Sequence, residues 1–285
     1  MVYRFILKNH QEFGIRWLLR KFNLSPNAYY NFLKNRKYAY YIKKQAICNK
    51  ISQIYHETHG VIGYRRMKIF LLRKGIILSN VTVHKYMNKE LKLHSIIMRK
   101  KPPYIKGKVH EVFPNLLNQD FKTAKMNEIW CTDFTYINLT NGSKRYNCSI
   151  IDVHDRSVVA TLNGKEITSL LAIRTLKKAL SSQSKMKSTL ILHSDQGSQF
   201  TSKEFTDFCK SENITQSMSK AGCPYDNAPM ERYFNTLKNE LIYQHYFHND
   251  QELDKAVYDF TYFWYNHIRP HSFNKGLTPF EARHQ

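Results

Sequence analysis

The chain has 285 residues, of which 42% are hydrophobic and 14% aromatic, enough to bury a sizeable core in two or more domains and too apolar for a disordered chain. Lysine and arginine number 44 against 22 acidic residues, a formal net charge of +22 with a pI near 9.7. A balance that basic implies a polyanionic partner, nucleic acid first, although a ribosomal or anionic-membrane protein carries similar charge. No apolar run approaches the ~20 residues of a membrane helix, and Met1-Val2-Tyr3-Arg4 is not a signal peptide. The five cysteines are odd in number and form no C-x-x-C pair, which fits buried free thiols in a reducing cytoplasm better than disulfides or zinc.

From His10 to Lys21, Phe13, Trp17, Leu18 and Phe22 recur at helical spacing, and Ser25-Pro26 then supplies an N-cap with proline at the first helical position. A short helix through Tyr29, Tyr30 and Leu33 completes a helix-turn-helix outline. A longer helix is expected over 38–58, with Ile42, Ala46, Ile47, Ile51, Ile54 and Tyr55 on one stripe. His56 and His59 suggest zinc, but no cysteine pair follows them, so surface or cap histidines are the better reading. Residues 1–60 form an N-terminal helical DNA-binding region on this reading.

Residues 61–94 form a second basic module. One helix carries Arg65, Arg66, Lys68, Arg73 and Lys74 and ends at Gly75; another, capped by Ser79 or Asn80, runs over 81–91. This is either a helix-turn-helix or winged-helix-like DNA contact or a solvated basic face. Between 95 and 122 the composition shifts. Arg99, Lys100, Lys101, Lys106 and Lys108 surround Pro102-Pro103, the mark of an extended basic linker able to follow a phosphate backbone.

Strand periodicity begins near Thr123. Strands are expected over 129–139, 146–151, 157–162 and 189–192, with the Asn141-Gly142 hairpin between the first two and a crossover helix over 167–180. Phe205 and Phe208 lie on a further helix. That order is the order of a ribonuclease H-like core, an α/β fold with a mixed five-stranded sheet, here over 123–248 and preceded by the helical modules. Asp133 then falls within the first strand and Asp195 just past the fourth, its neighbour in such a sheet. Asp226 or Asn227 caps a helix on which Met230, Phe234, Leu237 and Leu241 form the docked stripe; Glu231 borders that stripe and Lys238 shares its face. Residues 249–285 close the chain with an aromatic helix over 253–265 and a Thr278-x-x-Glu281 capping box, with Pro279 at the first helical position.

Three carboxylates from Asp133, Asp195 and Glu231 supply hard oxygen donors suited to two Mg²⁺ or Mn²⁺ ions about 3.5–4 Å apart. No glycine-rich phosphate loop is present, so ATP is not implied. Asp152 and Asp155 read as a turn with a local ion pair, and His193 as either a substrate contact or a structural hydrogen-bonding group. Gly197 and Gln199 shape the loop beside Asp195.

The motifs Trp130-x-x-Asp133-Phe134-Thr135-Tyr136, His193-Ser194-Asp195-x-Gly197-x-Gln199-Phe200-Thr201 and Asp226-Asn227-Ala228-x-x-Glu231 resemble those of DDE transposases and integrases. Tyr265-Asn266-x-x-Arg269-Pro270-His271 and Leu277-Thr278-Pro279-x-Glu281-Ala282 narrow the likeness to the second-frame, integrase-core transposase of the insertion-sequence-three family. Nearly the whole chain takes part, Ser25-Pro26 and Gly63-Tyr64-Arg65-Arg66 included; Arg232-Tyr233 stands where serine-phenylalanine is more familiar. The resemblance implies that Asp133, Asp195 and Glu231 are catalytic metal ligands and that Lys238 is the basic residue usual after the glutamate. It implies metal-dependent cleavage and 3′-OH strand transfer at terminal inverted repeats and target DNA in a bacterial cytoplasm, by a homo-oligomer of at least two subunits. It also implies a possible fusion to an upstream-frame product. Arg65, Arg66, Arg99, Lys100, Lys101, Arg232 and Arg269 are the further DNA-contact candidates. The rival readings are a DNA-binding regulator without catalysis and a ribonuclease H-like nuclease that does not join strands.

Overall fold

The computed structural model describes residues 2–96, 111–183 and 189–285, so Arg99, Lys100 and Lys101 lie outside the described residues. The chain forms two units, Met1–Ser95 and Ile96–Gln285.

The first unit is helical. Its opening helix is broken: α1 (Val2–Phe13) and α2 (Ile15–Lys21) replace the single helix expected from 10 to 21. Gly14 at φ 76° turns the chain where a side chain would be strained. Ile6, Leu18 and Leu19 then close a small core with Tyr29 of α3 (Pro26–Leu33), while Phe13 and Trp17 stack on the outside at 5.8 Å. Pro26 begins α3 as expected, but the Ser25 hydroxyl makes no capping bond.

In α4 (Arg36–Glu57) the buried stripe starts only at Ile47 and continues through Cys48, Ile51 and Ile54; Ile42 and Ala46, expected on it, are exposed. Met67 and Leu71 of α5 (Tyr64–Arg73) are buried, as are Val83 of α6 (Asn80–His84) and Tyr86 and Met87 in the π-helical turns Lys85–Glu90 that continue it. The Ser79 hydroxyl accepts from Thr82 N at 3.2 Å, the cap anticipated for this helix.

The second unit is a five-stranded mixed sheet in the order β3-β2-β1-β4-β5. The strands are β1 (Ile129–Asn138), β2 (Lys144–Asp152), β3 (Val158–Gly164), β4 (Ile191–Ser194) and β5 (Thr215–Met218). The first three pair antiparallel; β1–β4 and β4–β5 pair parallel. This is the ribonuclease H-like arrangement expected. The hairpin between β1 and β2 closes with Gly142 N donating to Leu139 O at 3.0 Å and Gly142 at φ 80°, the left-handed position that such loops require.

Period-two alternation divides β1 between two cores. Trp130 and Phe134 face α7 (Ser169–Ser182) and the short α8 (Ser198–Thr201) and α9 (Lys203–Ser211), in a cluster with Leu176, Phe200 and Phe205. Cys131 and Ile137 face α10 (Ala228–Glu240), where Met230, Tyr233, Phe234 and Leu237 pack with Val257 of α11 (Asp250–Tyr258) and with Phe260 and Tyr265 of its π-helical continuation, Asp259–Ile268.

Two expectations are corrected. The stretch 111–122 is not linker: Leu117 is buried in the α10 core, and Phe121 and Phe113 pack against the two clusters. Asp152 and Asp155 form no local pair with Arg156. Arg283, at the end of α12 (Pro279–Arg283), donates from Nη1 to Asp155 Oδ2 at 2.6 Å and to Asp152 Oδ2 at 3.2 Å. The capping box that starts α12, Thr278 with Glu281, is present as anticipated.

Candidate active site

Asp133 shares the α10-facing side of β1 with Cys131 and Ile137. The last β1–β4 pair is Cys131 with His193. Asp133 and Asp195 each lie two residues farther on, past the carboxyl end of β4, and near enough for the Asp195 charge to raise Asp133. Asp133 Oδ1 accepts from Phe134 N at 2.6 Å, and Asp195 Oδ1 from Gly197 N at 3.0 Å.

Glu231 reaches this end of the sheet through α10. Neither Asp226 nor Asn227 caps that helix with its side chain, contrary to expectation. Asn227 instead donates from Nδ2 to the Thr132 carbonyl at 3.2 Å, tying the helix start to the residue before Asp133. The Asp226 carboxylate accepts from Lys220 N at 2.9 Å, Asn115 Nδ2 at 2.9 Å and Gln119 Nε2 at 2.8 Å. These donors, Lys220 N first, hold it below the usual carboxylate range. Pro229 and Met230 are buried, and Glu231 emerges exposed in the first turn.

The electrostatics are those of crowded acids. Burial raises Asp133 well above the ordinary aspartate value; the Asp195 charge adds to this and Glu231 contributes more, while Phe134 N–H and Lys238 oppose it. Burial also raises Asp195, against the Gly197 N–H, and partial desolvation raises Glu231. Among the described residues no three His, Cys, Asp or Glu side chains are gathered closely enough to hold one ion. The charges of Asp195 and Glu231 both act on Asp133, as like charges at short range do. A hard divalent cation fits this donor set, because it offsets the repulsion recorded in the elevation of Asp133.

Lys238, two turns beyond Glu231, is half-buried, and its Nζ lies 4.7 Å from the centroid of the Tyr136 ring. Burial lowers its pKa and the Asp133 charge opposes that. It is thus held at the site rather than loose in solvent, an arrangement with no sequence signal because Tyr136 and Lys238 are 102 residues apart.

Other candidates separate by environment. His193 is fully buried between Ser217 Oγ at 2.9 Å and Ser219 Oγ at 3.0 Å, and burial lowers its pKa to about 4; its role is structural. Arg232 is exposed beside Glu231. Arg65 is exposed in the first unit with its guanidinium over Tyr64, and Arg66 is half-buried there. Arg269 is buried and forks onto Glu240, which engages its guanidinium within the fold. Asn115, Gln119 and Asn227 were absent from the sequence candidates; only the Asp226-Asn227 motif hinted at one of them.

Two stretches match the integrase core domain family, residues 123–224 and residues 212–279. The chain is similar to the putative transposase InsK of insertion sequence element IS150 from Escherichia coli strain K12, 35% identical over 280 residues that cover 96% of this chain and 95% of that protein. It is 32% identical to the transposase of IS904 from Lactococcus lactis subsp. lactis strain IL1403, over 81% of this chain and 90% of that one. Against the transposase InsF of IS3A from Escherichia coli strain K12 it is 28% identical, over 98% and 97%. Among solved structures, the HTLV-2 integrase catalytic core domain in complex with magnesium (trimeric form) aligns with a TM-score of 0.43 at 22% identity, over 57% of this chain and 100% of that one. With a sheet of integrase-core order and near full-length likeness to these transposases, the chain belongs to the insertion-sequence transposases that carry an integrase core domain.

Proposed function

We propose that Asp133, Asp195 and Glu231 are the catalytic acids of this transposase, and that it cleaves DNA at the ends of its element and joins the freed 3′-OH to a target phosphodiester. The observation that carries the reading is that Asp133 and Asp195 each follow the last β1–β4 pair by two residues, with the charges of Asp195 and Glu231 both raising Asp133. The three carboxylates would hold two Mg²⁺ or Mn²⁺ ions, with water and phosphate oxygens completing each shell. When bound, the ions supply Lewis-acid activation of the attacking oxygen and charge stabilisation on the leaving oxygen of an in-line displacement. Asp133, on the central strand, fixes the floor of the site; Asp195 follows the β4 end, and Glu231 closes from the helix. Lys238 and the exposed Arg232 steer the phosphate backbone toward these acids.

The substrate class is duplex DNA, in keeping with the +22 charge. The basic first unit, with Arg65 and Arg66, and the basic residues Arg99, Lys100 and Lys101 that follow it are the further DNA contacts. Pairing two element ends calls for at least two copies of the chain, alone or fused to an upstream-frame product.

The test is a gel assay with labelled duplexes ending in the element's own terminal sequence, uncut or with a pre-cut 3′ end, in Mg²⁺ and in EDTA. Asp133→Asn, Asp195→Asn and Glu231→Gln should each abolish cleavage and joining while leaving circular dichroism and most DNA affinity intact. Full activity in any one variant overturns the assignment. Cleavage without joining of the pre-cut end would identify a nuclease instead.

A further inference from the structure

We infer that Tyr136 is the positioning residue that seats the Lys238 ammonium, through the face of its ring, where the DNA backbone reaches the three acids. The inference rests on the reading of Lys238 as a DNA contact and extends it to a residue with no charge of its own.

Tyr136 lies on β1 three residues after Asp133, and Lys238 lies on α10 seven residues after Glu231. The strand and the helix that carry two of the acids therefore also carry the two halves of this contact. Lysine has a flexible four-carbon stem and gains from any contact that limits its rotamers. At 4.7 Å from the ring centroid, Nζ is well within the range of a cation–π contact. The ring offers attraction without an oxygen that would neutralise the ammonium, so the charge remains available to a phosphate. A carboxylate in the same place would consume it, as Glu240 consumes Arg269. On the next strand, Tyr146 is the register partner of Tyr136. Partial burial of both residues keeps the pair from being a transient surface contact.

The phenol oxygen plays no part in this account. Tyr136→Phe should behave as wild type and Tyr136→Leu as Lys238→Ala. Binding of the full-length protein to a fluorescein-labelled generic DNA duplex is measured across a salt series. Each phosphate neutralised on B-DNA contributes about 0.9 to the slope of log affinity against log salt. Lys238→Ala should lower the slope by about that amount, and Tyr136→Leu should lower it toward the same value while weakening binding about 2- to 30-fold. Combining the two should add nothing. A Lys238→Ala slope equal to wild type overturns the underlying reading of Lys238. A lowered Lys238→Ala slope with an unchanged Tyr136→Leu slope overturns only the role of Tyr136. A second measurement does not depend on the folding of Tyr136→Leu: the Lys238 ε-methylene proton signal, assigned by its loss in Lys238→Arg, should be shifted upfield by the ring current in wild type and in Tyr136→Phe. A signal at the free-lysine position in wild type overturns the inference.

Discussion

Replacing Arg269 with leucine tests whether this arginine serves DNA or the fold. Its side chain is 7% exposed and that of Glu240 is 6%. Nε donates to Glu240 Oε2 at 2.8 Å and Nη2 to Oε1 at 2.9 Å, a two-pronged pair. Trp264 Nε1 adds a donor to the same carboxylate at 3.2 Å. Arg269→Leu keeps apolar bulk but strands a buried carboxylate, and removing one partner of such a pair costs about 3–5 kcal/mol. That is a large share of the roughly 5–15 kcal/mol that holds a typical domain together. Glu240 terminates α10, the helix that carries Glu231 in its first turn, so the loss should also loosen that helix at its far end. Urea unfolding followed by far-ultraviolet circular dichroism and by tryptophan fluorescence reads the change. Arg269→Leu/Glu240→Leu should recover most of it, because the cost lies in the stranded charge and not in the absence of the pair. A loss below about 1 kcal/mol, or a double variant no more stable than the single, refutes this reasoning. A salt slope for DNA binding lowered by about 0.9 in the folded variant would return Arg269 to the phosphate contacts.

Asp133 titrates above its unfolded value, so in the metal-free protein its own contribution to stability is fully present below the ordinary carboxylate range and is lost as pH rises through the elevated value; in EDTA, Asp133→Asn should remove this part of the Tm–pH profile and Mg²⁺ should raise the neutral-pH Tm of wild type only. Superimposable profiles would count against the crowding of the acids. His193 is depressed from 6.5 to about 4 by burial, so its contribution is complete above pH 6.5 and fades as pH falls toward 4, by up to about 3 kcal/mol below that. His193→Gln should remove this acid sensitivity, seen as a shallower decline in urea midpoint over that range; an unchanged decline assigns it to other groups. Arg283→Leu strands Asp152 and Asp155, both buried, and should cost about 3–5 kcal/mol at pH 7.5. Burial, with Asp155 adding, already raises Asp152, so the penalty should shrink at pH 5.5; an equal penalty at both values argues against a charge origin.

Elements with strong local signatures were legible from the sequence. The β1–β2 hairpin, the crossover helix and the apolar stripe of α10 lie close to their expected bounds, and the capping box of α12 is where its residues imply. The fifth strand was expected in number but not located, because Thr215-Gln216-Ser217-Met218 has neither apolar alternation nor β-branched enrichment. It is a strand because β4 offers it a parallel edge, with Ser217 and Ser219 on either side of His193. Residues 111–122 misled for a related reason: their polar look reflects Asn115 and Gln119 bonding to Asp226, more than 100 residues away. The site divides in the same manner. The acids of the proposed site are picked out by residue type and context, whereas the partners that decide Arg269, Lys238 and Asn227 come from elsewhere in the chain.

Those partners show how α10 is held. At its start Asn227 bonds to the backbone of β1 one residue before Asp133, and at its end Glu240 is clamped by Arg269 and Trp264. Between them Met230, Tyr233, Phe234 and Leu237 bury one face against the sheet. A helix pinned at both ends and along one side has little freedom to slide or roll, so the separation of Glu231 from the two aspartates is set by the fold. The Glu231 side chain itself is exposed at the start of this helix. On the proposed reading, the backbone would hold the three acids in place and only the Glu231 side chain would need to move to complete a metal site.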